Sequence, residues 1–225
     1  MRLALETALG ATGLDPDLEP LRVALRDDGV DVEVVNWDDA SVDWRRFDAA
    51  ILRSTWDYAD RIVEFRAWLD HVEAQTRIVN PIAAVRWNID KHYLDDLDRD
   101  GVTVAPTRFI EVGDEVGGMD QGVEVFVVKP AIGAGSNGAR RCTPDEVAGH
   151  VAVLHSEGHA AMVQPYLDLI DEHAETALVY LGEGGELAFD HAFSKGAILT
   201  TTVVEQDGDF FAKEEINGRA ASDAE

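Results

Sequence analysis

The chain has 225 residues, with 44 Asp+Glu against 19 Lys+Arg, a formal charge of -25 and a pI near 4.4. This acidity excludes a nucleic-acid protein, which needs a basic face, and argues against docking on anionic lipid. The hydrophobic fraction of 46% is ordinary for a globular protein, so the charge does not imply disorder.

No apolar run approaches the ~20 residues of a membrane span, and the first residues lack a charged region followed by a long apolar one. A soluble cytoplasmic protein is expected. A single cysteine, Cys142, excludes an internal disulfide framework and a cysteine-built zinc site. The lysines are four: Lys91, Lys129, Lys195 and Lys213. An acidic protein that binds an anion must place its cations locally, which draws attention to each of them.

Residues 2–6 form a short apolar run. Leu18, Leu21, Val23, Ala24 and Leu25 then carry roughly helical spacing, ending at Gly29. Strands are expected at 31–36 and 49–52, with a turn carrying Trp44 and Phe47 between them. Ile62, Phe65, Leu69 and Val72 mark one face of a helix over 62–74. Ile78 and Val79 complete a strand–helix alternation, the pattern of a parallel sheet with crossovers.

The pattern changes near residues 81–88. Helices are expected at 83–88 and 91–99, a strand within 101–110 reaching Pro106 and Thr107, a surface loop at 113–122 and a strand at 123–128. Thr143-Pro144-Asp145-Glu146 is a capping box with proline at the first helical position, so a helix runs from there to about Ser156. Strands follow at 162–167, 175–181 and 187–194, the last two joined by the hairpin signal Gly182-Glu183-Gly184-Gly185. Residues 200–204 read as one more strand, and the last dozen residues as frayed. The expected class is α/β followed by α+β, with segments 1–85, 86–160 and 161–225.

Gly133-Ala134-Gly135-Ser136-Asn137-Gly138 fits G-x-G-x-x-G. A dinucleotide fingerprint needs a helix directly after the glycine turn. Here the capping box delays the helix to Pro144, and 139–142 reads as a short strand. The loop therefore joins strand to strand. Its backbone N–H groups suit phosphate oxygens, and Lys129 stands at its stalk.

Together these residues carry a resemblance. Asn88-Ile89-Asp90-Lys91-His92-Tyr93-Leu94, Val128-Lys129-Pro130 with the glycine loop, Val163-Gln164-Pro165-Tyr166-Leu167, Glu175, and His191-Ala192 with Lys195 occur in the order and spacing of ATP-grasp ligases. The block Arg53-Ser54-Thr55-Trp56-Asp57-Tyr58 makes the chain similar to the cycloserine-forming branch, more distantly related to glutathione synthetase and ribosomal-protein glutamate ligases.

The resemblance implies a Rossmann-like N-terminal domain and two lobes that grip ATP. It also implies activation of a small, amino-acid-like carboxylate as an acylphosphate, followed by attack of an amine or similar nucleophile. By the same resemblance, Lys91 and Lys129 neutralise ATP phosphates, and Gly133, Gly135, Ser136 and Gly138 close over them. Gln164, Pro165, Tyr166 and Leu167 form the adenine hinge, Glu175 holds the ribose, and Lys195 serves catalysis at the transferring phosphoryl group. Arg53, Thr55 and Asp57 are assigned to the acceptor substrate. Trp56 and Tyr58 suit packing between domains and substrate contact equally. His191 is read as structural and Cys142 as a small core residue. Oligomeric state stays open, since members of the superfamily form dimers or tetramers.

Two departures stand out. Ala174 occupies a position before Glu175 that is usually glycine in the family. The family also continues some way beyond the position matching Lys195, with the acidic residues that hold Mg²⁺. Asp207, Asp209, Glu214 and Glu215 precede that region. A C-terminally truncated ligase, lacking the last part of the fold, is the expectation. A truncated or degenerate, non-catalytic nucleotide-binding protein is the alternative.

Overall fold

The computed structural model describes residues 1–183, 186–199 and 215–221. They fall into two compact units, one of Met1–Arg99 with Ile132–Ala134, the other of Asp100–Ala131 with Gly135–Glu225.

The first unit is built by β1 (Arg2–Thr7), α1 (Leu18–Asp27), β2 (Asp31–Asn36), β3 (Ala49–Ser54), α2 (Ile62–Glu73) and β4 (Arg77–Val79). The strands form one all-parallel sheet in the order β2-β1-β3-β4. Their short, β-branched and apolar runs suit burial under crossover helices. The α2 helix buries Phe65, Trp68, Leu69 and Val72, a single face at i, i+3, i+4 and i+7. Trp37 meets Phe65 edge-on at 5.3 Å, and Trp68 stacks on Phe65 at 5.2 Å. Such aromatic pairs stabilise the core by about 0.5–1.5 kcal/mol each beyond area burial. Helices α3 (Ile82–Asn88) and α4 (Tyr93–Arg99) follow.

The second unit opens with β5 (Arg108–Ile110), β6 (Phe126–Pro130), β7 (Arg140–Cys142), α5 (Pro144–Ser156) and β8 (Ala161–Pro165). The strands pair antiparallel in the order β5-β8-β6-β7. The α5 capping box forms as the sequence implies, with Thr143 and Glu146 satisfying each other's backbone N–H groups. Val147, Val151 and Leu154 of α5 join Ile110, Phe126, Val128, Cys142 and Val163 in one buried core. Cys142 is thus a core residue, and burial pushes its thiol pKa up.

A short helix α6 (Leu169–His173) leads to a second antiparallel sheet of β9 (Glu175–Glu183), β10 (Glu186–Lys195) and β11 (Ile216–Arg219), in the order β11-β10-β9.

Four local readings need correction. The strand expected to reach Thr107 begins at Arg108, because Pro106 has no N–H to give a ladder. The β6 strand starts three residues later than expected and continues through Lys129 to Pro130. The α6 helix has an apolar content too small to give a helical period. Finally, Ile216–Arg219 is not frayed: it pairs with β10 over Ala192–Lys195. The strand expected at 200–204, Gly184 and Gly185 lie outside the described residues.

Candidate nucleotide and acceptor sites

In the second unit, β6 carries Lys129 in register with Met162 of β8, and Val127 opposite Gln164. Lys129 thus lies two register steps from Gln164, and residues 165–167 continue away from it toward the Phe126 end of β6. Lys129 is half-buried, and burial pulls its ammonium pKa below the usual lysine value while the negative charge of Glu175 opposes the shift. Glu175, the first residue of β9, is the register partner of Lys195, the last of β10. The structure therefore brings Lys129, Glu175 and Lys195 into one relationship through Glu175.

Residues 164–167 divide their groups between structure and free edges. The Gln164 side chain donates to Thr107 Oγ1 at 2.8 Å. The Tyr166 N–H donates to Val125 O at 2.9 Å, and Leu167 O accepts from the Ile170 N–H at 3.0 Å. Among the described residues, Tyr166 O and Leu167 N–H make no backbone hydrogen bond. The two groups belong to one trans peptide and point opposite ways, so one of them at a time can meet the Watson–Crick edge of adenine.

The glycine loop runs from β6 to β7, strand to strand as its context implies. It is pinned in the second unit by His150, whose Nε2 donates to Gly138 O at 2.8 Å. Gly138 has φ +70°, and a Cβ there would lie 3.2 Å from Pro130 Cδ and 3.3 Å from Leu154 Cδ2. Only glycine suits both conditions. Gly135 also has positive φ, and so does Ser136, at +64°. In the first unit, Lys91 Nζ donates to Gly133 O at 2.8 Å. Sequence reasoning missed His150, whose only signal is its place on the helix that follows the loop.

The first unit gathers a polar cluster at the carboxyl ends of β1 and β3. In the order β2-β1-β3-β4 the chain crosses from one side of β1 to the other, and that reversal is where open parallel sheets form a ligand crevice. Arg53 sits at the end of β3 and pairs with Asp15 at 2.8 Å and Asp17 at 3.0 Å. Asp15 is buried, with a side chain 1% exposed, and also accepts from Ser54 Oγ at 3.0 Å. Burial raises its pKa, but the bonds from Arg53 and Ser54 outweigh this and leave it lowered. Thr55 is buried. Asp57 accepts from Trp37 Nε1 at 2.8 Å and from Arg61 at 3.1 Å. Tyr58 packs on Phe65 of the same unit at 5.5 Å.

One buried group was not anticipated. Glu6, near the end of β1, is fully buried, and neither carboxyl oxygen has a hydrogen-bond partner. Burial holds its pKa well above the usual glutamate value. Inside an apolar run, a single charged letter gives no sign of whether it points in or out.

Among the described residues, no group of three or more His, Cys, Asp or Glu side chains is placed to hold a metal ion. They do not fit a Mg²⁺ cage, and no step is assigned to one. Asp207, Asp209 and Glu214 lie outside the described residues. Nor is any described helix long and apolar enough to cross a membrane. His191 bonds Asp190 at 2.6 Å on the exposed part of β10.

Comparison with known proteins places the chain in a family. Residues 3–80 match the family model for the N-terminal domain of D-cycloserine synthetase DcsG. The cycloserine biosynthesis protein DcsG of Streptomyces lavendulae is 37% identical over 208 residues, covering 88% of this chain and 68% of that protein. The crystal structure of D-cycloserine synthetase DcsG superposes with a TM-score of 0.84 at 34% identity, over 99% of this chain and 76% of that one. The ATP-grasp ligase PsnB, solved with its minimal precursor, Mg and ADP, shares the fold at a TM-score of 0.54 and 18% identity, over 99% of this chain and 76% of that one. The chain belongs to the ATP-grasp ligases, in the branch of the D-cycloserine synthetases.

Proposed function

We propose that the chain binds ATP and serves an ATP-dependent ligation of a small, amino-acid-like carboxylate. The observation that carries this reading is the linkage of Lys129, Glu175 and Lys195 in the unit that also carries the backbone groups of Tyr166 and Leu167. A half-buried lysine with a depressed pKa gains most from a polyanion, because phosphate charge repays its lost hydration.

In this reading Lys129 and Lys91 neutralise phosphates. The loop of Gly133, Gly135, Ser136 and Gly138 closes on them with backbone N–H groups. Residues Gln164, Pro165, Tyr166 and Leu167 line the adenine, and Glu175 accepts from ribose hydroxyls. Lys195 stabilises the charge that develops on the transferring phosphoryl group. A carboxylate oxygen attacks the γ-phosphorus, the bond to the β–γ bridging oxygen breaks, and ADP leaves. The amine nitrogen then attacks the acyl carbon, and phosphate departs with the former carboxylate oxygen. Arg53, Thr55 and Asp57 face the acceptor at the sheet crevice.

Isothermal titration tests the binding step. ATP, titrated in the presence of Mg²⁺, should bind, and NADH should not. NADH binding without ATP binding would sink the reading. ATP binding with no ADP release, across a screen of amino-acid carboxylates and amines, would favour a non-catalytic nucleotide binder.

A further inference from the structure

Three residues beside the hinge form a closed unit. The guanidinium carbon of Arg141 lies 3.4 Å from the centroid of the Tyr166 ring. Arg141 Nη2 donates to both oxygens of Asp171, at 2.7 and 3.0 Å, and the Tyr166 hydroxyl donates to the same carboxylate. Arg141 stands on β7 opposite Val127, and Val127 stands opposite Gln164 of β8. The Arg141 and Tyr166 side chains therefore meet over β6, whose two neighbours lie about two strand spacings, or roughly 9–10 Å, apart. A long side chain with a planar head suits lying flat on an aromatic ring.

We propose that Arg141 and Asp171 are positioning residues for the base-binding hinge. This rests on the reading of residues 164–167 as the surface that meets adenine. The Tyr166 ring is held on its face by Arg141 and at its hydroxyl by Asp171. Its backbone N–H is held by Val125. Three constraints on one residue fix the orientation of Tyr166 O and of the Leu167 N–H that follows. A hinge set in advance loses less conformational freedom when the base binds. Asp171 also ties α6 to the unit, so the chain leaving the hinge toward Glu175 is held at both ends.

The experiment is ATP titration of the full chain and its variants, with thermal unfolding measured in parallel. Arg141→Ala should raise the ATP Kd about fivefold or more, the scale of a lost guanidinium–aromatic stack. Arg141→Lys should not restore it, since an ammonium keeps the charge but not the plane. Tyr166→Phe, which keeps the ring, should lie closer to wild type than Tyr166→Leu. Asp171→Asn, a milder change at a partly exposed site, should raise the Kd in the same direction. Combining it with Arg141→Ala should add little further loss. An unchanged Kd with only a lowered Tm in Arg141→Ala would make the cluster purely structural and overturn this proposal alone. Wild-type protein that binds no ATP would overturn it together with the nucleotide reading.

Discussion

Glu175 and Lys195 face each other directly across the β9–β10 pair, the first residue of one strand against the last of the other. Glu175 also acts electrostatically on Lys129 of the other sheet in the same unit. One carboxylate thus acts on Lys129 and pairs in register with Lys195, two of the three lysines that the family pattern assigns to phosphates. Lys129→Ala should weaken ATP binding by about 10- to 100-fold, as expected for losing a charged hydrogen-bonding group from a half-buried site. Lys213→Ala should leave it unchanged. Equal effects would show that the lysines act only through net charge.

The same relationship sets a pH dependence. In the proposed ATP site, phosphate binding needs Lys129 charged, and burial lowers its pKa. ATP affinity should therefore fall as pH rises through that lowered value, at a pH below the ordinary lysine range. Glu175→Gln removes the charge that opposes the shift, so the midpoint should move to lower pH. Titration of both proteins at several alkaline pH values measures it. A midpoint that stays put would mean that Glu175 does not act on Lys129.

Glu6 makes a prediction of the opposite kind to most carboxylates. Its folded pKa is raised, so the folded state binds its proton more tightly than the unfolded state. Its contribution is fully present below the unfolded value near 4.5 and is lost as pH rises through the folded one. Between the two, stability should fall by about 1.4 kcal/mol per pH unit from this residue. Glu6→Gln should flatten that slope and stabilise the protein by about 2 kcal/mol near neutral pH, a gain set against the cost of burying an amide. Denaturant unfolding from pH 4.5 to 8 gives the comparison. Parallel slopes for the two proteins would show that Glu6 finds a partner.

Asp15 behaves conversely. Its pKa is lowered, so its stabilisation is present above the unfolded value near 3.8 and is lost as pH falls through the folded one. Asp15→Ala leaves Arg53 and Ser54 without their buried acceptor. It should cost about 2–4 kcal/mol at neutral pH. Urea unfolding at pH 7 and pH 3 should show that cost shrinking in acid.

Much of this arrangement was legible from spacing. The α2 face carrying Phe65, Leu69 and Val72 (though not its Trp68), the capping box of α5 and the strand-to-strand course of the glycine loop follow from local rules that packing did not override. The rest depends on which way a residue points or on contacts distant in sequence. The letters of residues 2–6 do not say that Glu6 lies inside. Asp15 and Arg53 are 38 residues apart, and Arg141 and Asp171 are 30. No periodicity links them, so only the folded chain reveals those pairs. The β11 pairing was hidden because a four-residue edge strand with an interior glycine has almost no propensity signal.

Ala174 shows where a sequence departure acquires a physical cost. It ends α6 with its N–H on Ile170 O at 3.0 Å, and its backbone sits at φ 61°, ψ 177°. That region is nearly exclusive to glycine, and another residue there costs of order 1–3 kcal/mol. The position immediately precedes Glu175, so the strained turn aims the carboxylate that faces Lys195 and acts on Lys129. Ala174→Gly should relieve the strain, less the roughly 0.4–1 kcal/mol by which glycine loosens the unfolded chain. The net gain should be about 1 kcal/mol, or a Tm increase of about 2–4 °C for a chain of this size. Because the hydrogen bond to Ile170 and the β9–β10 register already fix the turn, the Kd for ATP should stay within about twofold. Calorimetry and titration on the one variant separate these quantities. A lower Tm would show that the alanine is unstrained, and a large loss of affinity at a higher Tm would show that Glu175 depends on the strain for its position.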